Sequence, residues 1–170
     1  MGMIESIADF FVQGGPIIPL IFALAVVLWT LLVERYLFFY FRYPEFAKEL
    51  RARWQARTDK HSWYAHRIRE TMISNARHQL ARTLILIKAL VGLCPLLGLL
   101  GTVTGMIHMF DAMAVFGSGN ARAMATHISH ATLPTLAGMT VAIAGLYFSQ
   151  RIEHRVDIET RRLSDSLQFD

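Results

Sequence analysis

The sequence predicts an all-α integral membrane protein with three transmembrane helices, long cytoplasmic helical extensions and assembly into a ring-forming oligomer. Three observations carry this. Of the 170 residues, 54% are apolar, above the ~45–50% of soluble domains. Residues 16–33, 89–107 and 131–149 carry no formal charge, and each run is close to the ~20 residues that cross a hydrocarbon core as a helix. Two of these runs line small residues along one helical face, which lets helices approach closely in a membrane.

Charge sets the orientation. The first 15 residues contain no Lys or Arg, whereas residues 42–88 hold 11 of the 17 basic residues and 151–170 hold 4. Lys and Arg stay on the cytoplasmic side, so the N-terminus is expected in the periplasm and the C-terminus in the cytoplasm. The net charge of +4 then reports solvated faces near anionic membrane lipid. It needs no nucleic acid. The single cysteine, Cys94, excludes an intrachain disulfide and reads as a buried apolar side chain.

Residues 1–13 place Ile4, Ile7, Ala8 and Phe11 on one face and Glu5 and Asp9 on another, the pattern of a periplasmic amphipathic helix. With no basic segment before it, this stretch is not expected to be a cleaved signal. The opening Met-Gly-x-x-x-Ser matches a myristoylation pattern, which an N-terminus outside the cytoplasm contradicts. The first span, 16–41, is rich in Leu, Ile, Val and Ala, has no small-residue stripe, and is expected at the lipid-facing outside of the bundle. Glu34 and Arg35 follow its apolar run as anchors or as an ion-path entry, then the aromatic collar from Tyr36 to Phe41.

The cytoplasmic loop, 42–82, reads as helix. Pro44 suits a first turn, and Phe46, Leu50, Trp54 and Arg57 make a mixed face. A turn is expected at Thr58, Asp59 and Lys60. From Ser62 a face of Trp63, Arg67, Glu70, Ile73, Arg77 and Leu80 runs into the second span without a break, predicting one helix to Phe116, roughly 80 Å long at 1.5 Å per residue. The second span itself, 83–116, sets Val91, Pro95, Gly98, Thr102, Gly105 and Met109 on one face, with Lys88 at its inner edge.

A periplasmic turn is expected at 117–127, with Ser118 or Asn120 capping the third helix. His108, Asp111, His127 and His130 gather near the outer interface. They have three readings: a metal site, a pH-responsive cluster, or interfacial polar residues meeting headgroups and neighbouring subunits. The last is the plainest. The third span, 128–150, repeats the small stripe as Thr135, Gly138, Ala142, Gly145 and Ser149. The cytoplasmic segment 151–170 continues it as a solvated helix of alternating charge.

The run C-P-L-L-G-L-L-G-T-V-T-G-M at 94–106 resembles the second-helix motif of the MotA/TolQ/ExbB proton-channel family, and within that family the chain looks most like ExbB. P-T-L-A-G-M at 134–139 resembles the third-helix pattern. The resemblance implies that Thr102 and Thr135 face a pore, which Gly98, Gly105, Gly138 and Ala142 also line. It implies a homo-oligomer, a pentamer, enclosing an ExbD-like single-span protein that brings an intramembrane aspartate, and coupling to a TonB-like protein. The chain departs from the family at two places. His130 stands where a glutamate is common, and Ala144-Gly145 replaces a proline.

The spans contain no ionisable group at their centres, and threonine hydroxyls order water but hold no proton charge near neutral pH. The chain alone therefore reads as a threonine-lined sleeve whose carboxylate comes from a partner. It is expected to need no cofactor. Other readings are TolQ-like service of envelope integrity and a passive membrane scaffold. An enzyme is not expected, because no Ser/His/Asp, Cys/His, HExxH or phosphate-loop arrangement occurs.

Overall fold

The computed structural model describes residues 15–57, 59, 62–116 and 121–167, and all regular structure among them is helical. Helix α1 is Ile17–Leu37, α2 is Tyr43–Gln55, α3 is Trp63–Phe116 and α4 is Ala121–Ser166. Three of the helices are long and apolar enough to cross a membrane. The expected helix over 1–13, residues 117–120 of the outer turn, and Thr58 and Lys60 of the inner turn lie outside the described residues.

Each boundary has a local cause. Between α1 and α2 the helix widens to a π turn at Phe38–Arg42, in which the Tyr43 N–H bonds the Phe38 carbonyl. Pro44 follows at the start of α2; it has no N–H to continue the α ladder, and its ring crowds the preceding turn. Helix α3 begins with a cap, since the Ala65 N–H donates to Ser62 Oγ at 3.2 Å and the Ser62 N–H to Asp59 Oδ1 at 3.1 Å. Such a cap satisfies backbone donors that a helix start leaves orphaned. From there α3 runs 54 residues through Pro95, in agreement with the continuous helix expected from the sequence.

The chain falls into two compact units. The first is Met1–Trp29 with Ala89–Leu146, and the second is Thr30–Lys88 with Tyr147–Asp170.

In the first unit, α3 and α4 meet through their smallest residues. Val91, Cys94, Gly98, Gly101 and Met109 on α3 are buried, as are Ala131, Pro134, Gly138, Ala142 and Gly145 on α4. Helix α1 covers this pair with Ile18, Ile21 and Leu28, all 2% exposed or less. Leu28 reaches Gly145, and Ile17 lies beside Gly101. The remaining faces carry exposed apolar side chains such as Val27, Leu93, Leu96, Leu100, Val103, Leu136 and Ile143. Such a surface suits lipid.

The small stripes of α3 and α4 cover each other within a single chain. Close backbone approach needs two flat faces, and the sequence places both on neighbouring helices of the same chain. The stripe on α3 is also shifted: Cys94 and Gly101 are buried, while Pro95 and Thr102 sit at its half-buried edge.

The second unit has a soluble-type core of Leu50 and Trp54 from α2, Ala65 and Ala76 from α3, and Leu163 and Leu167 from α4 and its end. Trp54 is 2% exposed, and truncating a buried Trp costs about 3–5 kcal/mol. The buried face of α3 is therefore led by Ala65, Ala76 and Leu80. The face traced from Trp63 through Arg67, Glu70 and Arg77 is a different one: Trp63 is 66% exposed. A small side chain at 65 and 76 is what admits its neighbours. The segment after 150 is likewise packed along one side, by Ile152, Val156 and Leu163, rather than solvated all round.

Polar contacts fasten this unit. Arg69 donates from Nε to the Leu167 carbonyl and from Nη2 to the Ser164 carbonyl, both at 2.7 Å, satisfying acceptors that a helix end leaves free. The Tyr43 hydroxyl donates to the Glu159 carbonyl at 3.0 Å. Burial first, and then the Glu159 carboxylate, push that phenol up to about 12, so it stays a donor across the physiological range. Arg77 pairs with Asp157 at 3.2 Å and Lys88 with Glu153 at 2.6 Å. These pairs are largely solvent-exposed and contribute little individually.

Candidate functional site

The candidate site is the seam between α3 and α4 in the first unit. Its tightest points are glycines. A Cβ on Gly138 would lie 2.5 Å from the Cys94 carbonyl oxygen and 3.2 Å from Gly98 Cα. A Cβ on Gly98 would lie 3.0 Å from the Pro134 carbonyl oxygen and from Thr135 Cα, and one on Gly105 would lie 2.5 Å from Ala131 Cβ. Gly101 faces the Pro134 ring with no room for a side chain at all.

A side-chain hydrogen bond crosses this seam. Thr135 donates from Oγ1 to the Gly98 carbonyl oxygen at 2.9 Å. Gly98 makes that carbonyl reachable because nothing on its Cα holds α4 away. Thr102, one turn further along α3, donates instead to Leu99 of its own helix at 2.7 Å. Both threonines are half-buried, so each keeps an edge outside the packed seam. Their hydroxyl oxygens retain lone pairs for water or for a protonated carboxyl.

The structure thus brings Gly98, Gly105, Gly138 and Thr135 together at one helix contact, with Ala142 buried further along α4. In this chain the glycines serve as contact surface, and of the sequence-selected residues only the two threonines present polar groups at the seam's edge. Gly101, Pro134, Cys94 and Ala131 belong to the same contact and were not among the residues singled out. The 3,4 spacing of Gly98, Gly101 and Gly105 was the available signal.

The outer histidines are not brought together as a ligand set. His108 and Asp111 are exposed, His127 and His130 half-buried. Among the described residues no three metal-ligating side chains form a group that could hold an ion.

The profile described as the MotA/TolQ/ExbB proton channel family matches residues 43–165. The chain belongs to this family.

Within the MotA/TolQ/ExbB family it is most like ExbB. It is similar to the putative biopolymer transport protein ExbB-like 1 of Synechocystis sp., with 45% identity over 64 residues, covering 36% of this chain and 25% of that protein. It is similar to the biopolymer transport protein exbB1 of Vibrio cholerae serotype O1, with 32% identity over 98 residues, 57% of this chain and 43% of that one. A second Synechocystis sp. protein, ExbB-like 3, is 38% identical over 66 residues, 38% of this chain and 31% of that protein. The chain spans less than half the length of each of these relatives. No solved structure matches it. Family membership and three apolar helices together make it a multi-pass membrane protein of a proton-channel family, which is not an enzyme family.

Proposed function

We propose that this chain is the ExbB-like, ring-forming subunit of a proton-driven motor in the bacterial inner membrane. With an ExbD-like single-span partner it uses the proton motive force to energise TonB-dependent import across the outer membrane, of iron–siderophore, haem or vitamin substrates. The observation that carries this reading is the Thr135–Gly98 contact with Thr102 beside it, set in the family's motif and in spans without an ionisable centre.

A hydroxyl edge at membrane depth can hydrogen-bond an aspartic acid and order the water beside it, but it stores no proton. The partner's aspartate supplies the titrating group. Its protonation and release beside Thr102 and Thr135 drive relative motion of the two proteins. The glycines of the seam hold the helices close enough for both hydroxyls to reach one lumen.

The arrangement proposed in the membrane is N-terminus periplasmic and C-terminus cytoplasmic. Spans lie at 16–41, 83–116 and 128–150, with helical extensions at 42–82 and 151–170 on the cytoplasmic side. Subunits close into a homo-oligomeric ring, a pentamer, through faces of α3 and α4 other than the seam. His130 takes the outer position that a glutamate holds elsewhere in the family, with His127, His108 and Asp111 near it as a pH-responsive outer group. Relatives named for biopolymer transport favour this reading over TolQ-like envelope maintenance.

The test is complementation of a strain lacking its own ExbB-type subunit, with this chain and its single-span partner expressed together. Energy-dependent siderophore uptake should return, and should vanish on adding a protonophore or changing the partner's membrane aspartate to asparagine. Uptake that survives both treatments would overturn the proposal.

A further inference from the structure

We propose that Arg35 forms an anion site at the inner end of α1, and that it takes the phosphate of an anionic phospholipid headgroup. Arg35 is only 4% exposed, yet among the described residues no carboxylate forms an ion pair with it. Nη2 donates to Thr83 Oγ1 at 2.6 Å, and the guanidinium carbon sits 5.0 Å from the centre of the Phe38 ring. Nε is buried with no hydrogen-bond partner. Glu34, beside it in sequence, is exposed and makes no ion pair with it among the described residues.

A guanidinium carries five N–H donors. One hydroxyl and one ring face leave most of that capacity unused; the Glu34 carboxylate attracts the charge but lies exposed to solvent, and a buried charge with no ion-pair partner is costly. Arg69 in the same unit shows the contrast, with two carbonyls closing on it. Arg35 therefore lacks an anion, not merely an acceptor.

Depth selects which anion. Arg35 lies two residues beyond the uncharged run 16–33, among Tyr36, Tyr40 and Phe41, whose rings are 61%, 69% and 66% exposed. Exposed aromatic side chains at the end of a span mark the headgroup level, where lipid phosphates are the abundant anions. The Thr83 hydroxyl accepts from Arg35 and keeps its own proton to donate to a phosphate oxygen. Planar guanidinium donors match a phosphate better than an ammonium does.

The experiment follows thermal unfolding of the purified full chain in neutral detergent. Short-chain phosphatidylglycerol, short-chain phosphatidylcholine and inorganic phosphate are added separately. Phosphatidylglycerol should raise the unfolding temperature by several degrees more than phosphatidylcholine does. Arg35→Met should lose that difference while being no less stable than the parent without lipid, because it removes an unpaired charge and keeps an apolar stem. No preference for phosphatidylglycerol in the parent, or the full preference in Arg35→Met, overturns the site. An equal gain from inorganic phosphate overturns the lipid assignment. If Arg35→Met does not fold, Thr83→Val decides: the site requires it to reduce the preference, and an unchanged preference overturns it.

Discussion

Thr135 on α4 donates its hydroxyl proton to the carbonyl oxygen of Gly98 on α3, whereas Thr102 spends its own within α3. The two threonines are thus unequal in the resting chain. One joins two helices, and the other does not.

Valine keeps the shape of threonine and removes the hydroxyl, so it separates these roles. Thr135→Val should lower stability by about 1 kcal/mol, the scale of an interhelical hydrogen bond in a membrane protein. Thr102→Val should leave stability unchanged within ~0.5 kcal/mol, since its hydroxyl satisfies only a carbonyl of its own turn. Both should abolish energy-dependent uptake at normal protein levels. Thermal unfolding and uptake, measured on the same preparations, check the split; full uptake by the double variant would show that the proton path lies elsewhere.

The glycines give a sharper contrast. Gly138→Ala places a methyl 2.5 Å from the Cys94 carbonyl oxygen, a backbone atom, so α3 and α4 must separate. A loss of about 1–3 kcal/mol is expected, the usual cost of overpacking. Nothing lies within 4 Å of a Cβ on Gly92, and alanine there should be neutral or mildly stabilising. Melting temperatures of the two variants in one detergent provide the measurement, and equal losses would contradict the seam.

Arg69→Ala removes both donors from the carbonyls of Ser164 and Leu167. The last turn of α4 should fray, because its acceptors lose their partner. Hydrogen exchange should speed up across residues 160–167 and stay unchanged across 131–146. Arg69→Lys should restore only part of the protection, since one ammonium cannot reproduce the two-pronged geometry.

Orientation is tested with a cysteine at Gln55, which is exposed at the end of α2. The native Cys94 is buried and should label poorly. In intact cells Gln55→Cys should resist a membrane-impermeant thiol reagent and react after the inner membrane is opened. Prompt labelling in intact cells would reverse the proposed topology.

The spans and the single long α3 were legible because charge-free runs and helical spacing are local properties. The faces of α3 and α4 were legible too, with Gly98, Gly138 and Ala142 on them. What covers those faces was not. A flat stripe of glycine and alanine fits any other flat stripe, so periodicity could not say that the partner was the next helix of the same chain. Arg35 was read as an anchor or an ion-path entry because its position in sequence shows a charge at a span's end; its bond to Thr83 lies 48 residues away. Which face of α3 turns inward below the span was not legible either: Ala65 and Ala76 are buried, and Trp63 stays out.

The bonds of Arg69, Arg51 and Tyr43 to α4 and its end span 98, 115 and 116 residues respectively. They impose an order on biogenesis. At the ~5–20 residues per second of synthesis, α2 and the first turns of α3 emerge roughly 5–20 s before their partners at Glu159 to Leu167 exist. During that interval Leu50, Trp54 and Ala65 have no lid, and the third span must already be threaded through the membrane before one arrives. Closure of this core is therefore a late checkpoint: a chain whose last span fails to insert leaves Trp54 bare and marks itself for capture by chaperones or proteases.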